Sequence, residues 1–306
     1  MNKKIITLEN NENDVYQGIL NIPDSYPDSK PIVMLLPAGL KNSNGPHNLN
    51  VQIAKHLYES NIASCRIDPK ALGESTGKIE NGFINDIYNT ISKGKFIDDY
   101  CEIISLLRLK GIQNRFILCG LCGGALTSQF VAAKLPEDVI GAIQLGTAIT
   151  LDTPSNKAPQ QLKSPSHLDN DFYTYVKKLT NIKSLLRLLS GKSDFKEIFT
   201  TVFQKIQKII FNKKALPENI NKKFLSTLDL CAKNKTPILF VYGENDAYWF
   251  EFKDYVLNSI LKNKNKRQLF TIHTINNSNH TYYSIEWQEE LLSTINKWLL
   301  ENNEYR

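Results

Sequence analysis

Two cysteines and a cluster of glycines stand together at the end of one apolar run. Residues 116–130 read FILCGLCGGALTSQF, and the stretch GLCGG at 120–124 separates a strand-like pattern from a helix-like one. Glycines at such a junction let strand and helix approach closely, so the residue between them can take a strained backbone with an exposed side chain. The helix N-terminus that follows favours a thiolate. The pattern predicts Cys122 as a nucleophile on a tight turn, framed by Gly120 and Gly124.

The same cysteines also have the C-x-x-C spacing of thiol oxidoreductases, so a redox pair is the alternative. In those enzymes the first cysteine begins a helix, whereas Cys119 ends the predicted strand, and the nucleophile interpretation is therefore favoured. With five cysteines in the chain, an odd number, a disulfide framework is not expected. Three further cysteines are interpreted as small core residues: Cys65, Cys101 and Cys231.

A nucleophile on such a turn requires a base, and three histidines follow Cys122 in the chain. His167 lies in a middle segment without strand patterns, and His273 lies within a predicted strand, where a buried structural role is expected. His280 falls in the polar stretch NNSNHTYY directly after that last strand. A base in that loop reaches over the edge of the sheet, so His280 is the predicted base.

The acid that orients the base is expected after the preceding strand, within TPILFVYGENDAYWF. Asp246 stands three residues beyond Gly243, and Glu244 is the alternative, closer to the strand and less able to turn toward the histidine. The order nucleophile, acid, histidine is the one that follows a nucleophile elbow. The predicted set is Cys122, Asp246 and His280.

Two backbone N–H groups are needed to stabilise an oxyanion. One is predicted at Gly123, directly after the nucleophile, and the other at Leu40, in the loop Ala38-Gly39-Leu40 that follows the apolar run PIVMLLP. The role at Leu40 belongs to its backbone, so its side chain is free to pack.

Short apolar runs alternate with longer helical patterns, which predicts an α/β fold with a mostly parallel sheet and helices on both faces. The predicted strands are 15–20, 31–37, 62–67, 115–120, 139–145, 236–243 and 268–275. The predicted helices are 50–60, 97–110, 123–135, 252–263 and 285–303.

The alternation stops in residues 152–235, which are loop-like at first and then Lys-studded and helical in pattern. This segment carries sixteen Lys and Arg against seven Asp and Glu, a balance of +9, whereas the rest of the chain carries 21 against 24. We expect a core of residues 1–151 and 236–306, with 152–235 inserted as a basic helical cap over the carboxyl edge of the sheet, where α/β sheets bind ligands.

The composition is that of a core-forming protein, because 42 % of the 306 residues are apolar and 22 % are charged. No apolar run approaches the ~20 residues that cross a bilayer, and the start MNKKIITLE lacks the apolar stretch of a signal peptide. A cytoplasmic protein with reduced thiols and no membrane span is expected. No nucleic-acid recognition motif accompanies the lysines.

These motifs together resemble the α/β-hydrolase superfamily over nearly the whole chain. The segments LLPAGLKNSNGPHNLN and RIDPKALGESTG are similar to a bacterial branch of this superfamily with A-G-L…G-P-H, R-x-D…G-x-S and G-L-C-x-G-A segments. Parts of that branch carry the label exosortase-associated hydrolase. The resemblance implies the fold with a cap, Cys122 as nucleophile, Asp246 as acid, His280 as base, and Leu40 and Gly123 as oxyanion donors. The cysteine also resembles that of dienelactone hydrolases, which use a Cys-His-Asp set.

The chain departs from the superfamily pattern at two places. The common His-Gly oxyanion segment is Ala38-Gly39 here, which leaves the backbone donor intact, and Lys70-Ala71 replaces an Arg-Gly pair in a loop that shapes the rim. His47 of the G-P-H segment is expected to fix its own loop, with a substrate contact as the alternative.

A cysteine nucleophile favours acyl exchange between thioesters, because the acyl-enzyme is itself a thioester. We expect an acyltransferase or thioesterase that needs no cofactor or metal and acts on acyl groups carried by coenzyme A or an acyl carrier protein. The basic segment is compatible with either carrier, and equally with a merely solvated face. The alternatives are a dienelactone-type lactone or ester hydrolase, and a non-catalytic scaffold that binds a small molecule or protein.

Overall fold

The computed structural model describes residues 3–24, 26–79, 81–112, 115–152, 216–258, 261 and 268–301. Most of the predicted basic cap, residues 153–215 with His167, lies outside the described residues. The described part contains a sheet of eight strands in the order β1-β2-β4-β3-β5-β6-β7-β8. The strands are β1 (Lys3–Glu9), β2 (Val15–Asn21), β3 (Ile32–Leu36), β4 (Ser64–Ile67), β5 (Phe116–Leu121), β6 (Val139–Leu145), β7 (Ile238–Gly243) and β8 (Phe270–Ile275).

Helices connect these strands and cover both faces of the sheet. They are α1 (Leu49–Glu59), α2 (Ile84–Ser92), α3 (Ile97–Leu109), α4 (Gly123–Lys134), α5 (Lys222–Lys233), α6 (Ala247–Phe252) and α7 (Ile285–Glu301). A short 3₁₀ turn, Pro46–Asn48, precedes α1, and a π-helical turn, Lys253–Leu257, follows α6.

The sheet is antiparallel at one edge, where β2 pairs with β1 and β4, and parallel from β4 to β8. Every residue of β3, β5 and β7 is buried, as parallel strands with both faces covered require. The predicted mostly parallel sheet with helices on both faces is confirmed. Because β3, β5, β7 and β8 run in the same direction, their carboxyl ends meet at one edge of the sheet.

The buried apolar residues form two clusters, one on each face of the sheet. Helix α4 is buried from Gly123 to Ala132, so it has almost no exposed face. It packs on β5, β6 and α5. Burial of this kind contributes about 1.5–3 kcal/mol for each large apolar side chain. The helix that begins directly after Cys122 is therefore held rigidly in the core.

Three elements are not among those predicted. Strand β1 exposes most of its residues, including Ile5, as an edge strand does, so its apolar alternation is weak. Helix α2 is short and contains three residues of low helix propensity, Asn85, Asn89 and Thr90. Helix α5 lies within the segment predicted as cap, and it packs on α4 through Phe224 and other buried residues.

The described ends of the middle segment lie side by side. Thr150 and Ile220 form an isolated antiparallel bridge, and the Leu151 N–H donates to the Asn219 carbonyl at 2.8 Å. Asn89 of α2 exchanges two hydrogen bonds with the backbone of Asp152, at 2.9 and 3.0 Å. The chain thus leaves the core and returns to it at one place. In the described ranges, none of the helices is both long enough and apolar enough to cross a membrane.

Candidate active site

The turn between β5 and α4 holds Cys122 in a backbone conformation that side-chain-bearing residues rarely adopt, with φ 56° and ψ −114°. Such a conformation costs on the order of 1–3 kcal/mol and persists only where the surroundings enforce it. A Cβ at Gly120 would lie 2.4 Å from the Gly124 carbonyl carbon, and one at Gly124 would lie 2.5 Å from the Pro37 oxygen. Glycine is therefore required at both positions, and the turn is packed tightly enough to hold the strained residue.

Asp246 and His280 meet beside this turn. The Asp246 Oδ2 lies 2.8 Å from the His280 Nδ1, and the Asp246 side chain is only 2 % exposed. Asp246 also caps α6, because its Oδ1 accepts the Tyr248 N–H at 3.0 Å. In the loop after β8, the Asn279 Oδ1 accepts the N–H groups of Thr281 and Tyr282, both at 3.1 Å, which fixes the curve that presents His280.

His280 lies near the cysteine as well as the aspartate, because the Cys122 side chain is among the groups that raise the pKa of His280. Burial by itself would lower the pKa of His280. The Asp246 charge and hydrogen bond, followed by those of Cys122, outweigh burial and raise the pKa above its usual value. The structure therefore brings together the three side chains predicted from the sequence, in an arrangement that favours an imidazolium beside a sulfur atom.

The loop after β3 lies against the other side of the turn. A Cβ at Gly123 would be 3.4 Å from both the Cα and the N of Gly39, so the Ala38–Leu40 segment touches the first turn of α4. In the described part of the chain, neither the Gly123 N–H nor the Leu40 N–H donates to an acceptor. These are the two donors that the sequence predicts for an oxyanion.

Arg66 and Asp68, at the end of β4, hydrogen-bond the loop that follows β3. The buried Asp68 carboxylate accepts the Ser43 N–H at 2.6 Å and the Ser43 hydroxyl at 3.2 Å. Arg66 donates to the Asn44 side chain at 2.6 Å, and Asn50 donates to the Ser43 carbonyl at 3.2 Å. Arg66 and Asp68 thus hold the loop that carries Leu40.

Two residues of the site were not found from the sequence. Gly146 follows β6 with φ +52°, and a Cβ there would lie 2.6 Å from the His280 Nδ1 and 3.0 Å from the Asp246 Oδ2. Tyr248 of α6 packs its ring edge-on against the His280 ring, with centroids 5.1 Å apart. A glycine directly after a sheet strand was a signal for the first residue, whereas nothing in the sequence singled out Tyr248 among neighbouring aromatic residues.

The other histidines and the alternative acid lie elsewhere. The expectation that His273 is buried is wrong, because its side chain is 37 % exposed. His273 lies on β8, an edge strand with one open side, and pairs with Glu290 of α7 at 3.0 Å. Glu244 accepts the Asn277 N–H at 2.9 Å and does not contact His280. His47 lies in the 3₁₀ turn with φ 51°, its ring 6.3 Å from that of Tyr283.

The five cysteines are free thiols. Cys119 is fully buried in β5, and burial raises its pKa to about 12, which disfavours a thiolate and thiol exchange. Cys65 and Cys231 are buried as predicted, whereas Cys101 on α3 is partly exposed. In the ranges that the structure describes, no group of three or more His, Cys, Asp or Glu side chains is arranged to hold a metal ion.

Comparisons with known proteins agree with this architecture. No protein-family model and no curated protein sequence matches the chain. Est1E from Butyrivibrio proteoclasticus, solved with bound ferulic acid, is 13 % identical with a TM-score of 0.57, covering 97 % of this chain and 98 % of its own. The chain has an α/β-hydrolase fold.

Two other solved structures share the fold at similar distance. An α/β serine hydrolase homologue from Coxiella burnetii is 14 % identical with a TM-score of 0.56, covering 98 % of both chains. An esterase from Pyrococcus furiosus is 14 % identical with a TM-score of 0.54, covering 98 % of this chain and 92 % of its own. In this α/β-hydrolase fold, the elbow after β5 carries a cysteine.

Proposed function

We propose that this protein is an acyl-transfer enzyme of the α/β-hydrolase type in which Cys122 is the nucleophile. The observation that carries the proposal is the position of one ring: His280 hydrogen-bonds the Asp246 carboxylate at 2.8 Å, and the Cys122 side chain is near enough to raise the pKa of His280. The strained turn leaves Cys122 partly exposed, and Asp246 fixes the orientation of the imidazole. This combination has the geometry of an activated nucleophile.

The reaction has two halves. The Cys122 sulfur attacks the acyl carbonyl carbon, and the carbonyl π electrons move onto oxygen, where the Leu40 and Gly123 N–H groups hold the negative charge. When the C=O bond re-forms, the bond to the leaving group breaks and His280 gives that group its proton. The acceptor then loses a proton to His280, attacks the acyl-cysteine and releases the thiolate.

A cysteine at this position favours thioester donors. Acyl transfer from one thioester to a cysteine is nearly isoenergetic, and the resulting acyl-cysteine reacts well with thiols and amines as well as with water. We propose coenzyme A or acyl carrier protein as the source of the acyl group, and the +9 balance of residues 152–235 supports a negatively charged carrier. Neither half of the reaction requires a cofactor or a metal.

The second candidate is an ester or lactone hydrolase of the dienelactone type. One of the proteins that share the fold, from Pyrococcus furiosus, is an esterase, which favours oxygen esters as substrates. Both candidates use the same three side chains and differ in the donor they accept and in the fate of the acyl-cysteine.

Turnover of matched substrates separates the two candidates. We expect acyl-pantetheine and acyl-coenzyme A to react at least tenfold faster than the corresponding alkyl esters and lactones, with loss of activity in Cys122→Ala. Cys101→Ala is the matched control, because Cys101 is the other partly exposed cysteine and lies on α3. Faster reaction of lactones would support the hydrolase instead. No turnover of any donor would indicate a binding scaffold and overturn the enzyme assignment.

A further inference from the structure

Tyr248 contacts both the predicted base, His280, and the predicted acid, Asp246. Its ring meets the His280 ring edge-on, with 5.1 Å between centroids and 72° between planes. Its backbone N–H donates to the Asp246 Oδ1 at 3.0 Å. Asp246 thus holds the backbone of Tyr248, and His280 contacts its ring. The Tyr248 hydroxyl takes part in neither of these two contacts.

The strand order decides on which side of Cys122 the residue Tyr248 lies. The nucleophile follows β5, the oxyanion loop follows β3 on one side of β5, and Asp246, Tyr248 and His280 follow β7 and β8 on the other side. The carbonyl oxygen of a bound acyl group points toward the β3 side. The leaving group points toward the β8 side, because it receives its proton from His280.

The hydroxyl of Tyr248 keeps its proton in this place. Burial raises its pKa, and the nearby negative charges of Cys122, Asp152, Glu251 and Asp246 raise it further, in that order. A phenol surrounded by negative groups acts as a hydrogen-bond donor and does not act as a base. The Tyr248 ring lies against the His280 ring, so the donor is close to the reacting atoms.

We propose that the Tyr248 hydroxyl donates a hydrogen bond to the leaving-group atom of the acyl donor, and to the same atom of the acceptor in the return step. The proposal rests on the proposed function and adds a fourth side chain to the reaction. As the bond from the acyl carbon to the leaving group breaks, its electron pair moves to the leaving-group atom. That atom takes the proton of the His280 imidazolium while Tyr248 donates to it and retains its own proton.

Tyr248→Phe tests the assignment, because it removes the hydroxyl and keeps the ring against His280. The measurement is single-turnover acylation of Cys122 by acyl donors that share one acyl group and differ in leaving group, from nitrophenol to alkyl thiols and alcohols. We expect a loss of about tenfold or more with the alkyl leaving groups and less than about threefold with nitrophenol, which leaves without help. Tyr283→Phe is the matched control, because Tyr283 is 57 % exposed and packs on Trp287.

A purely structural role predicts a different result. If Tyr248 only held His280 in place, Tyr248→Phe would acylate like the wild type with every leaving group, and that result would overturn the proposal. Tyr248→Leu, which also removes the ring, is expected to slow acylation by all donors. If the wild type itself forms no acyl-cysteine with any donor, the proposed function fails and this role fails with it.

Discussion

The chemistry at the residue scale depends on how three side chains perturb one another. Cys122, Asp246 and His280 could be selected from the sequence because each follows a predicted strand end in the order that a nucleophile elbow requires. Gly146 and Tyr248 could not be assigned in this way. Their roles arise from contacts with His280 across neighbouring strand ends, and the sequence does not specify those distances.

The raised pKa of His280 has a consequence for the reactivity of Cys122. Because His280 keeps its proton above neutral pH near the Cys122 sulfur, the rate of Cys122 alkylation by iodoacetamide should depend on that imidazolium. We expect His280→Ala to shift the pH–rate profile of alkylation to higher pH. The test is to alkylate both folded proteins from pH 5 to 10 and to measure the rate from the modified peptide that contains Cys122. Superimposable profiles for the two proteins would remove His280 from the site.

The same pKa shift predicts how stability depends on pH. In the folded state His280 holds its proton above the value of 6.5 that applies to the unfolded chain. Its contribution to the free energy of unfolding is therefore fully present below pH 6.5 and is lost as pH rises through the folded-state pKa. Urea unfolding at several pH values should show the stability advantage of the wild type over His280→Gln shrinking as pH rises. An advantage that grows with pH would contradict the shift.

At the scale of elements, the site is built from loops that rigid strands and one buried helix hold in place. Seven of the eight strands could be predicted, most clearly β3, β5 and β7, because fully buried parallel strands appear as continuous apolar runs. Strand β1 and helices α2 and α5 depend on neighbours that supply their partners, so their local patterns are weak. The predicted helix 252–263 begins earlier, at Ala247, because Asp246 caps it.

Gly146 offers a test of this close packing. A Cβ in Gly146→Ala would lie 2.6 Å from the His280 Nδ1, so we expect the ring to move and turnover to fall by about tenfold or more. Gly111→Ala is the matched control, because Gly111 also has a positive φ, +65°, but nothing lies within 4 Å of its Cβ position. Both variants share the backbone strain, and only the first is expected to lose activity. Equal loss in both would mean that strain alone is responsible.

At the scale of the whole molecule, the described residues on the two sides of positions 153–215 lie next to each other. The bridge between Thr150 and Ile220 joins these two sides. Charge counting separates residues 152–235 from the rest, since the excess positive charge of the protein lies within them. We propose that the core folds independently of residues 153–215.

Replacement of residues 153–215 by a short Gly/Ser linker tests this division. We expect cooperative unfolding and the wild-type pH profile of Cys122 alkylation to be retained, because the bridge and the hydrogen bonds of Asp152 to Asn89 remain. Turnover of acyl groups on an acidic carrier protein should fall more than turnover of acyl-pantetheine, since the steering charge is lost. A variant that does not unfold cooperatively, or whose alkylation profile shifts, would show that the segment belongs to the core.

The most direct measurement for the central claim is the intact mass of the protein after brief incubation with acyl-pantetheine and acid quenching. We predict an increase equal to one acyl group, located on the peptide that contains Cys122, absent in Cys122→Ala and retained in Cys101→Ala. Decay of this adduct in water, compared with decay in added thiols or amines, then distinguishes hydrolysis from transfer. Turnover without any adduct on Cys122, or an unchanged adduct in Cys122→Ala, would contradict the assignment of Cys122 as the nucleophile.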